Sequence, residues 1–107
     1  MGIKGDKLTQ DSVSAAEEIV IKLSAIGGIT NKRMFGGFGV FHQGKMFALV
    51  DSKGQCFFKG DETNKSDFEE KDSFQHSRMP YFSIPDEVIN NQKLLIEWAN
   101  KSITITK

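Results

Sequence analysis

Three side chains in this sequence are suited to act as a nucleophile or as a base near neutral pH: Cys56, His42 and His76. A thiolate paired with an imidazole is one route to covalent catalysis, but neither histidine stands at a recognisable spacing from the cysteine, and no third residue is placed to orient a pair. Cys56 lies between Gln55 and Phe57 in an apolar run, the setting of a small core residue. The carboxylates concentrate in residues 61–72, where they form a solvated face and not an acid and base across a cleft. No spacing of His and Cys fits a metal site. The expectation is a chain without catalytic residues, bound cofactor or metal, with a small enzyme using Cys56 or a histidine as the remote alternative.

The glycines Gly36, Gly37 and Gly39 sit among Phe35, Phe38 and Phe41. They match neither a dinucleotide-binding fingerprint nor a phosphate loop, which needs Gly-Lys-Ser/Thr. Within a strand such glycines mark a bend or a close approach of another backbone. Gly37-Phe38-Gly39-Val40-Phe41 is similar to the aromatic strand of RRM domains, but Gly36 stands where that pattern wants a base and Gln43 where it wants an aromatic ring. The segment also comes too early to be the third strand of that fold. Arg33 and Lys59, each at a strand edge, are expected to make strand-end ion pairs.

These residues are carried by a chain of 107 residues, the size of one domain with one core. Its 14 basic and 14 acidic groups cancel, so no overall positive field favours nucleic acid. No apolar stretch approaches the roughly 20 residues that cross a bilayer, and the polar amino terminus lacks a signal-peptide core. A cytoplasmic protein follows, with residues 1–8 flexible.

The first helix is expected from Thr9 or Asp11 to Ile26, stopped at Gly27-Gly28, with Val13, Ala16, Ile19, Val20, Leu23 and Ile26 on its buried stripe. Aromatic and β-branched runs then predict antiparallel strands near 32–42, 45–51 and 55–59, turning at 42–45 and 51–54. A short helix pinned by Phe68 follows in 60–72. Two strand-like pieces near 74–76 and 80–84 precede Pro85, and a last helix after Asn90 buries Leu95, Trp98, Ala99, Ser102 and Ile103. The class is α+β, a two-layer fold on an antiparallel sheet of about five strands, in the order α-β-β-β-α-β-β-α. Alternation places Met46, Ala48 and Val50 on one face and Phe47 and Leu49 on the other. With nine phenylalanines to bury and helices enough for one face, the second face needs a cover. A second copy of the chain is expected there, with Phe47 and Phe57 at the interface.

The run Arg33-Met34-Phe35-Gly36-Gly37-x-Gly39, then Met46-Phe47-Ala48, Cys56-Phe57-Phe58-Lys59, Phe68, Tyr81-Phe82-x-Ile84-Pro85 and Leu95 to Trp98-Ala99 resembles the N-terminal domain of the TfoX/Sxy family, over about residues 13–102. That family is associated with bacterial competence for DNA uptake. The resemblance implies a sheet similar to that of secretion-chaperone domains, a homodimer, and structural roles for Arg33, Met34, Phe35, Gly36, Gly37, Gly39, Phe47, Ala48, Lys59, Tyr81, Pro85 and Trp98. It further implies action by protein contact in transcriptional control, with the cyclic-AMP receptor protein or RNA polymerase as partner. The second, helical domain of the family's regulators is missing from this sequence, and residues 71–80 are shorter than the family norm. A general protein-binding or chaperone-like dimer is the alternative. Direct nucleic-acid binding is expected to be weak, and no membrane contact is expected.

Overall fold

Helix α1, Gln10–Leu23, forms where Ala16, Ile19 and Leu23 recur at three- and four-residue spacing and are all buried, and a 3-10 turn, Ser24–Ile26, carries it to Gly27. The computed structural model describes residues 10–34, 36–71, 73–76 and 79–106. The expected flexible 1–8 and the motif residue Phe35 lie outside the described residues. Strands β1 (Ile29–Met34), β2 (Gly37–His42), β3 (Lys45–Val50) and β4 (Cys56–Lys59) follow in an antiparallel meander. Helix α2 (Lys65–Glu70) leads to β5 (Tyr81–Ser83), which pairs with β4 to complete a five-stranded sheet in the order β1-β2-β3-β4-β5. Two further helices, α3 (Asp86–Ile89) and α4 (Gln92–Ile105), close the fold.

The α+β class, the five antiparallel strands and the succession of helix, strands, helix, strand and helix are those expected. The strands divide differently. The segment 32–42 is not one bent strand: the chain reverses between Met34 and Gly37, which pair directly, so the glycine run makes a hairpin. The two glycines serve it for different reasons. Gly36 has φ 75°, a left-handed conformation that L side chains rarely take. At Gly37 any Cβ would overlap the Val50 carbonyl oxygen of the neighbouring strand. The next reversal, Gln43-Gly44, has φ of 51° and 84°, the pair of positive values a type I′ hairpin requires. At the far edge only Tyr81–Ser83 is strand, with Gln75 joined to Phe82 by an isolated bridge.

The core lies between one face of the sheet and helices α1 and α4, which pack on β1 to β4. Leu95, Trp98, Ala99, Ser102 and Ile103 of α4 are buried as the stripe predicts, and helix geometry persists through the β-branched tail to Ile105. Asn91 caps α4, its side chain accepting from the Leu94 amide at 3.2 Å. The short α2 begins after Asn64, a buried amide that accepts from the Asp61 N–H at 2.8 Å and donates to the Lys59 carbonyl at 3.2 Å. Phe68 anchors the helix between Phe82 and Trp98, with ring centroids 5.2 and 5.1 Å away.

A β-bulge corrects the expected alternation. Val40 pairs with Ala48 but Phe41 with Met46, leaving Phe47 as the extra residue of β3. The extra residue turns Phe47 to the helix side, where it stacks on Phe58 with centroids 6.2 Å apart and is fully buried. Phe47 is therefore core within one chain.

Candidate protein-contact surface

The sheet's outer face, opposite the helices, takes every second residue of each strand. The register aligns Thr30, Lys32 and Met34 of β1 with Gly37, Gly39 and Phe41 of β2, then Met46 and Leu49 of β3, Phe57 and Lys59 of β4, and Tyr81 and Ser83 of β5. Half of this face is covered by the chain itself. Leu49, Phe57 and Tyr81 form a second, smaller buried cluster beneath Met46 and Met79. The Phe57 ring is met edge-on by Phe74 at 5.6 Å and by His76 at 4.8 Å. A strap holds those rings in place: the Ser83 N–H donates to Phe74 O (2.8 Å), the Phe74 N–H to Ser83 Oγ (3.0 Å), and the His76 N–H to Tyr81 O (2.8 Å). Phe57, like Phe47, is thus buried without a second copy, and the strap does what the sequence reading assigned to a partner. Phe74 and Met79 were the signal for it, two large apolar groups in an otherwise polar stretch.

Over the other half of the outer face no described element packs. Gly39 has no side chain, and a Cβ there would meet Met46 Sδ at 2.8 Å, Met34 Sδ at 3.0 Å and Phe41 Cε1 at 3.1 Å. Those three side chains, all half-buried, converge over the glycine as a shallow apolar patch. Thioethers adapt to a partner's shape better than branched side chains. The Tyr81 hydroxyl donates to Met46 O at 3.3 Å and ties the patch to the strap.

Along the patch runs strand β1, an edge of the sheet. Its Asn31, Lys32 and Arg33 are exposed, and among the described residues neither Lys32 nor Arg33 lies within ion-pair distance of a carboxylate. The strand-end ion pair expected of Arg33 is absent among those residues. Lys59 makes none there either; its carbonyl is the point of anchorage, accepting from Asn64 Nδ2 and from Ser102 Oγ at 2.8 Å.

The remaining motif residues have structural places. Ala48 is buried between Val40 and Phe58, its cross-strand neighbours. Pro85 starts α3, its carbonyl accepting from Val88 and Ile89. Trp98 packs edge-on against Phe68.

The groups with nucleophile or base chemistry are dispersed over three clefts. Cys56 lines one of about 160 Å³ with Glu18, Lys22, Gln55 and Asp86. His76 lines one of about 230 Å³ with Met34, Leu49, Asp51 and Met79. His42 lines a third of about 290 Å³ with Lys45, Ile103 and Thr106. Burial, reinforced by the negative charges of Asp51 and Glu18 and opposed by Lys22, pushes the Cys56 thiol up to about 12, so it is protonated at neutral pH. Burial also raises Tyr81 above the usual phenol range. Among the described residues no three of His, Cys, Asp and Glu gather closely enough to hold a metal ion, and no helix is long and apolar enough to cross a membrane.

The fold and this surface define a class: a small α+β domain with a five-stranded antiparallel meander, helices on one face, and an apolar patch beside a charged edge strand on the other. The TfoX N-terminal domain family matches residues 22–105, and the chain belongs to that family. No curated protein matches the chain.

Proposed function

We propose that this chain acts without catalysis, by binding another protein, in bacterial transcriptional control of the kind the TfoX/Sxy resemblance implies, including competence for DNA uptake. The observation that carries this reading is the outer sheet face beyond the strap, where Met34, Phe41 and Met46 converge over Gly39 beside an edge strand that no described element pairs. Apolar side chains that converge at the surface beside a charged edge strand suit contact with another protein. The protonated thiol and the dispersal of His42, Cys56 and His76 over separate clefts support the non-catalytic part. By family analogy the partner is bacterial RNA polymerase or the cyclic-AMP receptor protein, met in the cytoplasm.

The test is retention of purified RNA polymerase, of the receptor protein, or of both, on immobilised chain at micromolar concentration, compared with a Met46→Glu variant. Retention by the parent that the variant loses supports the reading. Retention of neither protein overturns the assignment to transcription, and turnover in a broad hydrolase screen that disappears in Cys56→Ala overturns the non-catalytic part.

A second reading, a chaperone-like homodimer, is favoured by the same patch: a second copy seated on it would cover the three side chains the strap leaves open.

A further inference from the structure

The two edges of the sheet are treated differently. At β5, only three residues long, the strap closes the edge: Gln75 bridges to Phe82, Ser83 donates to Phe74 O and His76 to Tyr81 O. At β1, six residues long, no described element pairs on the far side. Which backbone groups it offers follows from the ladder. The Gln43 N–H donates to Gly28 O at 3.2 Å, so these opposed residues form a hydrogen-bonded pair. Alternation makes Thr30, Lys32 and Met34 the residues bonded to β2, and turns the N–H and C=O of Ile29, Asn31 and Arg33 to the open edge. An open edge with free backbone donors and acceptors is a template for an added strand.

The side chains say what kind of strand. Lys32 on the outer face and Arg33 on the helix side are exposed and uncompensated among the described residues. Antiparallel pairing with a second β1 would bring two lysines and two arginines together, and like charges across a ladder are destabilising. The same charges complement carboxylates. Met34 ends the strand beside Phe41 and Met46, where an apolar side chain of an incoming strand would rest.

We propose that β1 accepts an extended acidic segment of a partner protein as a sixth strand, its carboxylates facing Lys32 and Arg33 and its apolar residues facing the methionine patch. This rests on the protein-contact reading and specifies the partner's chemistry. Nucleic acid shares the negative charge but offers no strand backbone for Ile29, Asn31 and Arg33 to bond.

The probe is a capped synthetic peptide of roughly eight residues, a typical strand length, with two adjacent Glu residues at its centre, one for each face of the sheet, and Val elsewhere, against the same peptide with Lys for each Glu. Backbone amide NMR and hydrogen exchange read the outcome. The expected result is preferential binding of the Glu peptide, with exchange protection gained at Ile29, Asn31 and Arg33 and little change at Thr30, Lys32 and Met34. Asn31→Pro removes one outward N–H without touching the β1–β2 ladder and is expected to abolish binding. Lys32→Glu with Arg33→Glu, both exposed, is expected to cost roughly tenfold for the Glu peptide and to transfer preference to the Lys peptide. Equal affinity for both peptides, binding without protection at the three edge amides, or binding only of an oligonucleotide overturns the inference. If the peptide fails while RNA polymerase or the receptor protein is still retained, the edge inference falls alone and the protein-contact reading stands.

Discussion

Two residues carry contrasting lessons about what a side-chain type reveals. Gly37 is needed for proximity, because its backbone runs against Val50 O, and Gly36 for its φ of 75°. Gly37→Ala is expected to lose about 2 kcal/mol by overpacking against a backbone that cannot yield, and Gly36→Val about 1–3 kcal/mol through backbone strain. Urea melts of the two variants check this, and parent-like midpoints would refute it. Cys56, by contrast, has the chemistry of a nucleophile and the environment of a core atom. With its thiol pushed from the ordinary 9.0 to about 12, the folded chain holds a proton that the unfolded chain releases between those values. The contribution to stability is therefore full below pH 9 and declines as pH rises toward 12, with buried Tyr81 acting in the same direction. Cys56→Ala is expected to flatten this alkaline limb in denaturation measured against pH. At pH 8 the native thiol should react with a disulfide reagent far more slowly than the urea-unfolded thiol; equal rates would show it to be exposed.

At the scale of elements, what was legible in the sequence was what has a period. The three- and four-residue spacing of Ala16, Ile19 and Leu23, and of Leu95, Trp98, Ala99 and Ser102, placed both long helices. The turn signals at 42–45 and 51–54 placed the β2–β3 and β3–β4 connections. The bulge was not legible, because Met46-Phe47-Ala48-Leu49-Val50 is apolar throughout and an all-apolar run carries no register to show one inserted residue. That hidden shift moves Phe47 from an expected interface into the core beside Phe58. Phe47→Asp is accordingly expected to destabilise by about 3–5 kcal/mol, through an unpaired buried charge, and to leave the chain largely unfolded in circular dichroism. A folded monomeric variant would reverse this conclusion. The strap was legible only in part: a strand-like piece near 74–76 was readable, and Gln75 does bridge to Phe82, but that Phe74 and His76 fold over Phe57 depends on β5 and Phe57 beneath them. Asn91 was legible only as a neighbourhood, since a cap is specified by one side chain; Asn91→Ala is expected to cost about 1 kcal/mol in thermal unfolding.

The whole molecule is a sheet with unequal cores on its two faces, a large one under α1 and α4 and a small one under the strap, and this inequality bears on where a partner fits. The phenylalanines that argued for a second copy are largely accounted for within one chain: Phe47, Phe57, Phe58 and Phe68 are all at most 2% exposed. What is left for the proposed second copy is the open half of the outer face, Met34, Phe41 and Met46, and not the rings first assigned to it. This relocation changes the experiment that decides the matter. A charge at a half-buried patch residue costs little in folding but is incompatible with an apolar contact, whereas a charge at Phe57 removes the floor of the smaller core. On the homodimer reading, Met46→Glu is therefore expected to remain folded and to sediment as a monomer at tens of micromolar, where the parent sediments as a dimer. Phe57→Asp is expected to lose the strap, seen as rapid amide exchange at His76, Tyr81 and Ser83, whose N–H groups hold it. Sedimentation of the parent as a monomer at that concentration would remove the second copy and leave the patch, with the charged edge beside it, to a different protein.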